Sequence, residues 1–314
     1  MSRHTKSATS ISSLHLRLPL SRVRERGPGD EGPPGAQGRF GVLLVLTAAL
    51  LMAQPALAGR SCEPREPSAQ EVQRGFETGL HLYERLSRLS GPWGPSPEVV
   101  LIGRVGSDLS KHGLRYSHMG FAVRDHAQGP YTVLHLLNHC ARSTSDLYVQ
   151  GLVNFFLDDP FAYDTLIVVP APELQARLAE RLLSDQPKRL HDPRYNMLGH
   201  VRSPHSQNSN QWVLELVASA LDGLPTSQDR RAVQAAPSLD HFTGDLIPIS
   251  RLKRLGGIFQ ANVDFFDQPL KNRLRSRYEV VTVRAVARWL EDLNAVAYQE
   301  VLEPPFAPRS AAPR

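Results

Sequence analysis

QNSNQWVLE spans Gln207 to Glu215. Small polar and amide residues give way to an apolar segment opened by a tryptophan. From there Trp212, Val213, Leu216, Val217, Ala220 and Leu221 cover a wide face. A helix opening near Ser209 and running to about Leu221 is therefore expected to be largely buried. The polar cluster at its mouth has two readings. Asn and Ser are preferred N-cap residues, so Asn208, Ser209 or Asn210 can simply cap the helix. Alternatively, the free N–H groups and dipole of the helix start favour developing negative charge. Those groups could then form an oxyanion hole beside a reactive Ser209 hydroxyl.

Upstream, Ser68 and Glu71 form a capping-box pattern ahead of a helix over residues 68–89. Val72, Phe76, Leu80, Tyr83 and Leu86 follow at spacings of three and four, giving one apolar face. GPWGPSP is a loop, and EVVLIGRV (98–105) a short buried strand. YSHMGFAV and YTVLHLLN read as a hairpin joined by the turn RDHAQGP. Residues 145–157 read as a helix opened by Ser145 and Asp146, and stopped at LDDPF. DTLIVVP is a strand, and a helix from about Pro172 to Leu183 follows, with proline in its first turn. Residues 184–207 carry His191, Tyr195, Asn196, His200 and His205 with little regular pattern. Downstream come a strand near 245–249, a helix near 250–258, the strand YEVVTV, and a helix holding Val286, Trp289, Leu290 and Leu293. This order predicts a single α+β domain over 59–303, a mainly antiparallel sheet packed against a buried helix. A mobile tail is expected at 304–314.

Residues 1–58 read as a leader. Arg39, the apolar run GVLLVLTAALLM and Ala56-Leu57-Ala58 follow the order of a secretory signal, with cleavage expected after Ala58. The apolar run is short for a membrane span, so no stable span is expected after cleavage. The chain carries a net charge of +5, of which +4 falls in residues 1–58. A basic surface for nucleic acid therefore has little support. The two cysteines, Cys62 and Cys140, are most simply one disulfide in an exported protein. The competing reading is a reactive Cys140 beside His135 or His139, which needs a polarised, partly exposed setting. A metal reading of His135, His139 and Cys140 is poorer, because the i, i+4 spacing of His135 and His139 is a ligand spacing of helices, whereas TVLHLL reads as a strand. No metal and no cofactor is expected.

The sharpest chemical candidate pairs Ser209 with His118. A serine nucleophile needs a base within hydrogen-bond reach, and the base needs an orienting partner. Gly120 and Ala122, on the same strand face as His118, leave room beside it. His135 or Asn138, on the paired strand, would orient the imidazole. Gln207, Asn208, Asn210 and Gln211 would line the cleft.

The stretches RYSHMGFAVRD, LHLLNHC, GLVNFFLDDPF, RYNMLG and QNSNQWVLE resemble, in that order, an uncharacterised family of exported bacterial proteins. The order of SHMGFAV, a paired strand, and a polar stretch opening a buried helix is also similar to circularly permuted NlpC-type papain-like proteins. That second resemblance implies His118 in the histidine position and Ser209 where the family has its cysteine. A serine cannot stand as a stable thiolate-like anion and must lose its proton during attack. The resemblance implies an exported, periplasmic hydrolase or acyltransferase acting on peptide or acyl bonds of the cell envelope. A catalytically silent binding module for a peptide, glycan or lipid-derived ligand, and an envelope interaction factor, are the alternatives.

Overall fold

A computed structural model describes residues 66–158, 160–257 and 260–306, all within one compact unit spanning Pro55–Arg314. The expected leader, Cys62 and most of the C-terminal tail lie outside the described residues.

The core is a six-stranded antiparallel sheet. Its strands are β1 (Val99–Val105), β2 (His118–Val123), β3 (Thr132–Asn138), β4 (Ser145–Gln150), β5 (Ala162–Pro170) and, after two lobe strands given below, β8 (Val296–Leu302). The spatial order is β8-β5-β1-β2-β3-β4. β1 is central and buried along its whole length, as the apolar run VVLIGRV requires of a strand covered on both faces. The expected β2–β3 hairpin forms, with Phe121 opposite Leu134 and Val123 opposite Thr132.

Alternation sorts the side chains into two layers. Leu101, Met119, Phe121, Leu136 and Val168 face one way, onto α3 (Pro172–Leu182), α4 (Ser209–Leu221) and α5 (Val283–Asp292). Val100, Ile102, Ala122, Val133 and Ile167 face the other way, onto α1 (Ala69–Arg88) and α2 (Leu152–Leu157). The α+β architecture therefore stands, with α4 as the buried helix.

Three local expectations need correction. First, α1 has the expected capping box, but of the apolar stripe only Leu86 is buried. Val72, Phe76, Leu80 and Tyr83 are all exposed. The buried face is Gly75, Thr78, Gly79, Leu82 and Leu86. A Cβ on Gly79 would sit 2.9 Å from backbone and side-chain atoms of Val153, so the two helices meet nearly backbone to backbone. Second, residues 145–150 form a strand, and only 152–157 are helical. The edge of β3 offers unpaired N–H and C=O groups, and this segment satisfies them. Third, the segment after the last expected helix forms β8, which pairs antiparallel with β5 along the other edge of the sheet.

A smaller lobe holds the hairpin-like pair β6 (Asp245–Pro248) and β7 (Arg277–Val280), with short helices at Arg251–Gly257 and Leu270–Arg275. Its interior gathers Leu114, Leu198, Ile247, Phe265, Tyr278 and Val280. The RYNMLG motif joins it to the main core. Asn196 Nδ2 donates to the Asp264 carbonyl at 2.9 Å, and Asn196 Oδ1 accepts from the Asp264 N–H at 3.0 Å.

Candidate functional site

α4 opens with Asn208 as its N-cap. The Asn208 Oδ1 accepts from the Gln211 N–H at 2.7 Å, and Nδ2 donates to the Val281 carbonyl at 3.1 Å. One of the N–H groups offered for an oxyanion is thus already engaged. Asn210 Nδ2 reaches the Ser117 carbonyl at 3.4 Å, so the helix does begin beside the start of β2.

His118 is nevertheless not presented to Ser209. Met119 and Phe121 point toward α4, where Phe121 stacks edge-on against Trp212 at 5.8 Å between centroids. With a period of two, His118 and Gly120 must point the other way. There the His118 ring lies 5.7 Å from that of Phe155 in α2. The sheet therefore separates the expected base from the expected nucleophile. Ser209 instead places its hydroxyl against the phenol of Tyr195, whose pKa burial pushes up to about 12. The catalytic pairing of Ser209 with His118 is corrected on this ground, and with it the defining relation of a permuted papain-like site.

His135 does meet His118, as expected of an orienting partner. His118 Nε2 lies 2.9 Å from His135 Nδ1, and His135 Nε2 lies 3.1 Å from Gln150 Oε1. The amide oxygen can only accept, so His135 Nε2 donates to it and His135 Nδ1 accepts from His118 Nε2–H. Both rings are neutral in this chain of bonds. Burial, then the charge of Arg104 and the His135 ring, hold His118 well below its ordinary value. Burial, then Arg104, bring His135 down to about 4. Arg104 is itself buried, paired with Asp158 at 2.6 Å and stacked over the Phe155 ring at 4.9 Å. The space that Gly120 leaves is filled by His135, whose Cβ would lie 2.9 Å from a Cβ added at Gly120. Asn138 takes no part; its Nδ2 donates to the His139 carbonyl at 3.2 Å.

The four residues expected to line a cleft are all buried. Gln207 and Gln211 belong to a network around Glu215, which is not among the expected site residues and has no exposed surface. Its carboxylate accepts from Gln207 Nε2 at 2.6 Å, Gln211 Nε2 at 3.1 Å and Gln234 Nε2 at 3.0 Å. Arg230 Nε lies 3.1 and 3.0 Å from its two oxygens. Burial raises the Glu215 pKa, opposed by Arg230 and the amides. Arg230 also donates to the Ser203 and Ser206 carbonyls at 2.9 and 2.7 Å. The network therefore ties α4 to the irregular segment before it. A carboxylate amid the apolar residues of a helix expected to be largely buried was the available signal, since such a charge demands a partner.

Elsewhere a serine hydroxyl does meet an imidazole. Ser145 Oγ lies 3.1 Å from His191 Nε2. Ser145 is only 1% exposed and pins the 191–195 segment to β4, where its N–H donates to the Pro193 carbonyl at 2.9 Å. His139 bonds Thr144 Oγ1 and Asp146 at the surface, remote from His135 in role and setting. Cys140 is exposed in the turn between β3 and β4, and its expected partner Cys62 lies outside the described residues. Among the described residues, no cluster of three or more His, Cys, Asp or Glu could hold a metal ion, and no helix is long and apolar enough to cross a membrane.

A groove of about 530 Å³ opens elsewhere, on the smaller lobe, lined by Thr243, Leu246, Lys271, Asn272, Arg275, Arg277 and Glu279. None of the expected site residues lines it. Comparison with curated proteins and with solved structures returns no match. The model of a family described as uncharacterised proteins conserved in bacteria, DUF2145, matches residues 96–290, more than half of the chain, and the chain belongs to that family.

Proposed function

We propose that this is an exported envelope protein that works by binding rather than by turnover. The observation that carries this reading is the closure of the polar cluster at the start of α4. Asn208 caps the helix, Gln207 and Gln211 bond Glu215, and the sheet stands between Ser209 and His118. Nucleophilic catalysis needs an accessible hydroxyl and a base in reach; Ser209 lacks the base, and Ser145 lacks the access. The reading includes export to the periplasm through the segment ending at Ala58, and a disulfide between Cys62 and Cys140.

The test is labelling of the full chain with a fluorophosphonate that reacts with activated serines. No adduct is expected at Ser209 or Ser145. An adduct that disappears in Ser209→Ala, with the fold intact, would restore the hydrolase reading.

A further inference from the structure

The smaller lobe concentrates two features that soluble surfaces usually keep apart. Leu246, Leu252, Leu255, Phe266, Leu270 and Leu274 are all more than half exposed. Large apolar side chains left exposed in such number on one lobe point to an interaction site. Between Arg251 and Arg277 the chain also carries seven Lys or Arg against two Asp, a local net charge of +5. The whole chain is +5 and residues 1–58 hold +4 of it, so the rest of the expected mature chain is net negative. The positive charge is therefore a local property of this lobe.

The geometry places these groups side by side. Arg254 Nη1 donates to the Arg273 carbonyl and to the Tyr278 hydroxyl, both at 3.2 Å, which holds the Arg251–Gly257 helix against the Leu270–Arg275 helix. The Arg273 guanidinium lies over the Phe266 ring at 5.4 Å. On the Leu270–Arg275 helix, Leu270 and Leu274 form one exposed strip, and Lys271 and Arg275 form the next. Lys271, Arg275 and Arg277 line the groove of about 530 Å³ beside Leu246.

An anionic bilayer surface offers phosphates to the cations and an acyl boundary to the leucines at one depth. We propose that this lobe docks peripherally on an anionic phospholipid surface. Lys271, Arg275 and Arg277 meet the phosphates, and Leu252, Leu255, Leu270 and Leu274 enter the acyl boundary. This goes beyond the binding reading above and does not depend on it, since no residue of the α4 cluster takes part.

The experiment is co-sedimentation of the full chain with phosphatidylcholine vesicles, with and without phosphatidylglycerol. Residues 1–58, themselves net +4, are common to every protein compared and set the baseline, so the readout is the change that each variant makes in the excess bound on anionic vesicles. The double variant Lys271→Glu/Arg275→Glu is expected to lower that excess by roughly tenfold or more, and added salt to do the same. Leu270→Ser/Leu274→Ser is expected to weaken binding while leaving its salt dependence. Both pairs are exposed, so circular dichroism should show the fold unchanged. Equal binding to the two vesicle types, or an excess untouched by charge reversal, overturns the proposal. Self-association without vesicles that the leucine variant abolishes also overturns it, because the face would then be an interface between copies.

Discussion

Asn208 makes two hydrogen bonds from the two ends of its amide, Oδ1 accepting from the Gln211 N–H and Nδ2 donating to the Val281 carbonyl. Losing a cap costs about 1 kcal/mol, and leaving a buried carbonyl unpaired adds about 1 kcal/mol or more. Asn208→Ala is therefore expected to lower stability by about 2 kcal/mol in urea denaturation. Ser209→Ala, one position on, should cost roughly 1 kcal/mol or less, because it removes a single hydroxyl that meets Tyr195. Equal losses in the two variants would mean that the cap has been misassigned. The presence of a cap was legible in QNSNQ; which of three adjacent residues provides it was not. All three suit the role, and the choice depends on Val281, which lies 73 positions away in the chain.

The helix α1 packs through its glycines, and that makes a sharp contrast available. Gly79→Leu would drive a side chain into Val153, already 2.9 Å from the position of a Cβ. Overpacking of this kind costs about 1–3 kcal/mol. Phe76, on the stripe with the strongest apolar signal, is 56% exposed. Phe76→Ser should change stability by no more than about 0.5 kcal/mol. Thermal melts of the two variants decide between the glycine face and the apolar face as the docking surface. Periodicity identified an apolar face correctly but could not say that the partner helix needed a close approach instead. β4 shows the same limit. Ser145 and Asp146 suit a helix start as well as a strand, and the free edge of β3 settles the matter.

Across the folded molecule, the buried His118–His135 pair couples stability to pH. Both rings are neutral when folded, whereas in the unfolded chain each takes a proton near its ordinary value of 6.5. Below that pH the unfolded state binds more protons, so stability falls as the solution is acidified. For His135 the loss runs from about pH 6.5 down to about 4, on the order of 3 kcal/mol in all. His118, held well below its ordinary value by burial, adds to the same trend. Urea unfolding between pH 7.5 and 4.5 should show this decline, and His135→Gln should flatten it. An unchanged slope in that variant would show that the ring is not held neutral by burial. At the same scale, the near neutrality of residues 59–314 gave no hint of a cationic lobe, because their positive segment is offset by acids elsewhere.

Local physics alone set the capping box of α1, the buried run of β1, the β2–β3 hairpin and the burial of α4. Each rests on contacts within a few residues or on a periodicity that one segment carries by itself. Strand alternation also requires that His118 and Met119 point to opposite faces. It does not say which face α4 will cover. That assignment depends on how β1, β2 and β5 stack their apolar sets against helices distant in the chain, and here it goes to Met119 and Phe121. The packing that buries Trp212 against Phe121 therefore leaves His118 on the far side with His135, and turns a candidate active-site cluster into a helix cap and a buried ionic network.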